Sequence, residues 1–143
     1  ILFLQIPAKL EKIGYTEFVL NPEEIKTFKA FYALTEDTEV HYTHPHMHVF
    51  GKSFKSYAVS PENDSIPIIK IDEWRFYEQE YYQLAKPLHL KKGTKIYYEA
   101  TYDNTSSNPL NPFSPPQTIS EGWSTTQEMM LNILICTKVK EVD

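Results

Sequence analysis

Cysteine occurs once in this chain, at Cys136. No intrachain disulfide can form, and a thiolate-rich metal site is excluded. The residue lies in LNILICTKV, an apolar run in which it reads as a small buried hydrophobe. No apolar stretch approaches the ~20 residues that a membrane-spanning helix needs. No run of Lys and Arg is present and the formal net charge is −5, which argues against a nucleic-acid surface. The start, ILFLQIPAKLEK, has a short apolar run with no basic residues before it, so it does not read as a signal peptide. With no initiating Met, the 143 residues are expected to be one domain, residues 1–143, excised from a longer chain.

Glycine is also scarce, at four residues, whereas Tyr and Phe are abundant and ten prolines punctuate the chain at short intervals. That composition favours β structure. In TKIYYEATY (94–102), Ile96, Tyr98, Ala100 and Tyr102 alternate with Lys95, Glu99 and Thr101, the pattern of a half-buried strand. Further strands are expected over Tyr15–Leu20, Thr27–Leu34, Glu39–His44, His46–Ser60, Ile66–Trp74, Glu80–Ala85 and Glu128–Val139. Turn clusters separate them: NPEE (21–24), SPENDS (60–65), KKG (91–93) and the long DNTSSNPLNPFSPPQ (103–117). That last segment is too long and Pro-rich for a hairpin and is expected to be a surface loop. Only PAKLEK and PEEIK offer helical turns. The pattern predicts an all-β antiparallel sandwich or barrel.

Four of the five histidines fall within eight positions, in HYTHPHMH (41–48). On a strand, residues two apart share a face, so His46 and His48 form the secure pair, roughly 7 Å apart at their Cα atoms. His44 is a third candidate, but Pro45 restricts it and cannot donate a ladder hydrogen bond. Two imidazoles on one face can converge on a transition metal; scattered surface histidines are the bland alternative. A zinc site needs further N, O or S ligands, and the chain has neither a second HxH nor a cysteine partner. Methionine thioether is the remaining soft donor, and it selects copper, Cu(I) above all.

HPHMHVFGKSFKSYAV (44–59), followed much later by GWSTTQEMMLNI (122–133), resembles the copper type II, ascorbate-dependent monooxygenase family. Peptidylglycine α-hydroxylating monooxygenase and dopamine β-monooxygenase are its best-known members. The closer likeness is to bacterial proteins that carry the family's C-terminal domain. It runs from about Tyr15 to Ile135 and takes in YQLAKPLHLKKGTKIYYEATYDNT (82–105). The resemblance implies a jelly-roll-like sandwich with one copper, held by His46, His48 and the methionine of an E-M motif, Met129. Met130 is the neighbouring alternative and would face the other way on a strand. The implied activity is O₂ activation and C–H hydroxylation of a small-molecule or peptide substrate, outside the cytoplasm. The second electron would come from an upstream copper or redox domain, so the isolated domain is expected to be inactive. The animal enzymes' disulfides have no counterpart here, and His41, His44 and His89 lie within the domain's own strands rather than forming a second copper site.

Other residues have plainer readings beside functional ones. The aromatic run WRFYEQEYYQL (74–84) is core and edge packing or a substrate face. Glu128 is an exposed strand-end carboxylate or a group that orders a ligand. Asn63 and Asn104 stand in N-x-S sequons, a pattern frequent by chance. The rival from a different class is a non-enzymatic jelly-roll module for association, copper binding or electron transfer.

Overall fold

The alternation that the sequence shows in 94–102 becomes the central strand of one sheet, and the rest of the chain is built around it. The computed structural model describes residues 2–7 and 18–139. Ten strands occupy them: β1 (Leu2–Pro7), β2 (Val19–Leu20), β3 (Ile25–Ala33), β4 (Thr38–His46), β5 (Gly51–Val59), β6 (Ser65–Ile71), β7 (Tyr82–Leu90), β8 (Lys95–Asp103), β9 (Ile119–Ser120) and β10 (Leu131–Lys138). No helix forms among the described residues. One four-stranded sheet has the order β1-β10-β4-β7, the other β3-β8-β5-β6, and β2 pairs with β9 apart from both. All these pairings are antiparallel. Strands that follow one another mostly alternate between the sheets, which is jelly-roll connectivity.

The sheets close on a shared core because each strand carries apolar residues at every second position. Phe28, Ala30, Phe54, Ala58, Ile96, Tyr98, Ala100 and Tyr102 come from one sheet; Val40, Leu134 and Cys136 come from the other. Phe18, Phe28 and Tyr102 form an aromatic knot, with ring centroids 4.3 to 5.8 Å apart. A polar thread also crosses the core. Thr43 donates to Asn132 Oδ1 (2.7 Å), Asn132 Nδ2 donates to Ser56 Oγ (3.2 Å), and Ser56 donates to the Tyr97 carbonyl (3.0 Å). Every member is satisfied, so the thread ties the sheets in register without an orphaned polar group.

Several expected boundaries move. The expected 46–60 strand is cut: β4 runs through Pro45 to His46, residues 47–50 form a turn, and β5 starts at Gly51 in the opposite sheet. Pro45 is tolerated because β7 pairs with β4 only as far as Thr43. The expected 66–74 strand stops at Ile71, the expected 80–85 strand begins at Tyr82 and extends to Leu90, and β10 starts at Leu131 rather than Glu128. The hydrophobic start is an unexpected edge strand, β1, paired with β10. PEEIK turns and then enters β3 rather than making helix. Residues 8–17, and with them most of PAKLEK and part of the expected 15–20 strand, lie outside the described residues.

The 47–50 turn is pinned by two fully buried side chains, Met47 and Phe50. It is then roofed by Trp74, whose backbone N–H donates to the Lys52 carbonyl (2.8 Å). The indole lies so close over Gly51 that an added Cβ would stand 2.6 Å from Trp74 Cδ1, hence glycine at that position. Gly51→Ala is expected to push the indole off the turn and to cost about 2 kcal/mol. Thermal unfolding and a red shift of the Trp74 emission check this. An unchanged melting temperature and spectrum would show that the roof is not tight.

Candidate metal centre

The end of β4, the 47–50 turn, the 72–81 loop and the 121–130 segment meet on the outer face of the β1-β10-β4-β7 sheet. Inward positions of β4 and its continuation, Thr43, Pro45 and Met47, are buried, so His44 and His46 face outward. His48 follows in the turn, only 4% exposed. The His46 and His48 rings stand 5.1 Å apart at their centroids, nearly perpendicular (81°). The pair therefore converges as expected, but on a strand end plus a turn rather than on one strand.

Each imidazole is oriented through Nδ1. Gln79 donates its amide to the carbonyls of Phe76 (2.8 Å) and Met47 (3.2 Å), which turns its Oε1 towards His46 Nδ1 at 2.6 Å. His48 Nδ1 lies 3.0 Å from the Gln127 carbonyl. A carbonyl oxygen can only accept, so in both neutral rings the proton is on Nδ1 and the lone pair is on Nε2. This is the second-sphere arrangement that fixes the tautomer and orientation of a ligating histidine. Burial holds the His46 pKa below its ordinary value, with the Gln79 hydrogen bond pulling the other way and His48 and His44 adding to the fall. The neutral, ligand-ready form is thereby favoured.

Glu128 is fully buried, not the exposed strand-end carboxylate of the plainer reading. Its Oε2 accepts from the backbone N–H of His48 (2.8 Å) and of Met129 (3.1 Å), and Oε1 accepts from Phe50 (2.8 Å). One carboxyl group thus clamps the histidine turn to the methionine segment. Burial pushes its pKa up to about 8 and outweighs the three N–H donors, which favour the ionised form. Met129 is held at its other end by Tyr102, whose hydroxyl donates to the Met129 carbonyl (2.8 Å). The β4–β10 register ends at Leu131 opposite His46, so Met129 lies two residues before the strand that pairs with the histidine end of β4. Met129 is half-buried, whereas Met130 is 4% exposed and belongs to the core. Of the two methionines, Met129 is therefore the one not committed to the core.

His44 shares the outward face and the same anchoring, with Nδ1 2.9 Å from the Glu80 carbonyl, but its ring stacks on Tyr81 at 4.2 Å. Its centroid is 6.4 Å from that of His46. His41 and His89 are elsewhere, both on Glu39, with Nε2 3.4 and 3.1 Å from its carboxylate oxygens. The aromatic run beginning at Trp74 is largely the loop that covers the site. Phe76 sets its edge on His48 (6.1 Å), Gln79 holds His46, and Tyr81 covers His44. Sequence reasoning missed Gln79, and nothing in its spacing from the HxH marks it. Asn104 is buried and donates to the carbonyls of Leu20, Asn21 and Gln117, so this sequon residue anchors the long 103–117 loop. Cys136 is buried as expected.

What the fold brings together is two imidazoles with free Nε2 atoms and, clamped to their turn through Glu128, the backbone of the Met129 segment. Among the described residues no three His, Cys, Asp or Glu side chains gather into a metal-holding group. A hard or borderline metal that needs three N or O side-chain ligands is poorly served here, and a soft metal that accepts sulfur fits better. No protein-family model matches this chain, and no curated protein matches it.

Glu128→Ala leaves two buried N–H groups, of His48 and Phe50, and the part-buried one of Met129 without their acceptor. The metal-free protein is expected to lose about 3 kcal/mol of stability. Glu128→Gln should recover only part of it, because its NH₂ places a donor against N–H groups. Denaturant unfolding of both variants is the check; a loss within about 0.5 kcal/mol would mean that the clamp contributes little.

Proposed function

We propose that this chain is the copper-binding domain of a monooxygenase-like protein, with copper held by His46, His48 and Met129. What supports the reading most is the pairing of two Nδ1-anchored imidazoles with a buried carboxyl group that locks the Met129 segment against their turn. The bound copper would supply O₂ activation for hydroxylation of a C–H bond in a small-molecule or peptide substrate. The chain's own residues do the preparatory work. Gln79 and the Gln127 carbonyl keep the Nδ1 protons in place, so each ring offers Nε2 without a rotamer search. Phe76 and Gln79 limit water around the two rings. The thioether cannot be protonated and is a weak, soft donor, so it favours the reduced metal. The motif resemblance supplies the rest of the proposal: an upstream copper or redox domain as electron source, and a location outside the cytoplasm. A second reading is a copper module for electron transfer or association without hydroxylation. The exposure of Trp123 (88%) and Tyr77 (87%) beside the site favours it. O₂ consumption by the copper-loaded chain joined to its upstream domain separates the two readings.

Competitive chelation is expected to show one Cu(I) bound more tightly than Zn²⁺. Met129→Ala should weaken Cu(I) by at least about tenfold, and Met130→Ala should act on stability instead. Equal Cu(I) affinity in wild type and Met129→Ala would remove Met129 from the ligand set.

Protons compete with copper for the imidazoles. His46 has a pKa lowered from 6.5, so its neutral form persists to more acid pH than in a free imidazole. Copper affinity should therefore hold at pH 7 and fall on the acid side of that value. The limiting slope should approach a factor of about one hundred per pH unit once both ligands are protonated in the metal-free protein. His46→Ala should bind more weakly and show about half that limiting slope. A flat profile in the wild type would exclude the two histidines as ligands.

A further inference from the structure

Two loops flank the candidate centre, and both carry large aromatic side chains that the fold leaves in water. Tyr77 (87% exposed) and Tyr81 (53%) are on the 72–81 loop, and Trp123 (88%) is on the 121–127 loop. Each is one or a few residues from a group that touches a histidine of the cluster. Phe76, in edge contact with both Tyr77 (5.0 Å) and His48, precedes Tyr77 in the chain. Tyr81 itself stacks on His44. Trp123 follows Gly122, which packs against the Gln127 side chain, and the Gln127 carbonyl holds His48. Exposed aromatics gathered at the edges of one site are what a binding surface presents, whereas solitary ones need no explanation.

The charge on the same loops specifies the occupant. Asp72, Glu73, Glu78, Glu80 and Glu121 are exposed against a single cation, Arg75. Arg75 lies between Glu73 (3.8 Å) and Glu78 (3.4 Å), and Asp72 is paired with Lys70 (2.6 Å) from the neighbouring strand, which leaves the rim net negative. On the copper reading the metal must be reduced, and besides the proposed upstream domain a separate donor protein that docks beside the site can supply the electron. We propose that the Tyr77–Tyr81–Trp123 rim is the docking face for a basic one-electron donor protein, the acidic loop steering it and the aromatics seating it. This rests on the copper reading for its purpose. Upon docking, one electron leaves the donor, whose Fe(II) becomes Fe(III), and reduces Cu(II) to Cu(I), with no proton or atom transferred. Electron-transfer encounters of this kind are small, with charge setting the association rate.

The test uses reduced cytochrome c as a basic donor and flavodoxin as an acidic one of comparable size. Docking is first measured by NMR titration of the metal-free chain, so that its outcome does not depend on copper. Cytochrome c is expected to shift signals in 72–81 and 121–127, the Trp123 indole among them. Its affinity should weaken about tenfold between about 20 and 200 mM salt. Flavodoxin should shift nothing there. Trp123→Ala, and Glu73→Lys with Glu78→Lys, should each weaken docking at least about fivefold while melting temperature and Cu(I) affinity stay at wild-type values. The copper(II)-loaded chain should oxidise the haem with the same salt and variant dependence. Shifts that map to another face, equal binding of flavodoxin, or affinities indifferent to salt and to both variants would overturn the proposal. Failure to bind copper at all would defeat the copper reading, while the metal-free titration would still decide whether a basic protein docks here.

Discussion

Glu128 takes three backbone N–H groups from two segments some eighty residues apart in the chain, and the geometry of the whole site follows from that clamp. Without an acceptor at this point, the N–H groups of His48 and Phe50 would be buried and unmade, which is costly enough to reopen the turn. With it, Met47 and Phe50 can both drop into the core while His48 stays on the outer side between them. The same carboxyl group fixes the Met129 backbone, so the histidine turn and the methionine segment are held together by a single buried group. The cost is a carboxyl held out of water, and that burial pushes its pKa up to about 8.

Around the clamp, the chemistry of the rings is set one bond further out. Gln79 is oriented by two backbone carbonyls and passes that orientation to His46; the Gln127 carbonyl does the same for His48. Both contacts come from loops rather than strands, and both loops are tethered, one by Trp74 over Gly51 and the other by Glu128. The alternation of Met129 and Met130 at the entry to β10 is what divides a candidate ligand from a core residue. On the proposed reading, a soft thioether beside two preset imidazoles is the reason for copper over zinc.

Much of this was legible in the residues, for identifiable reasons. Period-two alternation predicts β8 to within a residue, and turn clusters at 60–65 and 91–93 separate the strands where the structure has turns. The pairing of HPHMH with the distant EMM segment is a motif-level signal, and the fold does bring those segments together. Other features are invisible to periodicity. Residues 46 to 60 look like one strand because β-rich sequence continues through the turn, and only the burial of both Met47 and Phe50 breaks the alternation. WRFYEQEYY reads as strand or core by composition, yet its Gln and aromatic residues serve as a cover over histidines that lie far back in the chain on β4 and its turn. The buried role of Glu128 depends on His48 and Phe50, some eighty residues away in the chain, and has no local mark in the sequence.

On the proposed reading, two imidazoles and one thioether surround a single copper. X-ray absorption on the Cu(I)-loaded chain tests it most directly. Two nitrogen scatterers with imidazole outer-shell features and one sulfur scatterer, the sulfur absent in Met129→Ala and retained in Met130→Ala, are the predicted result. A copper environment without sulfur, or one whose sulfur survives loss of Met129, would contradict it.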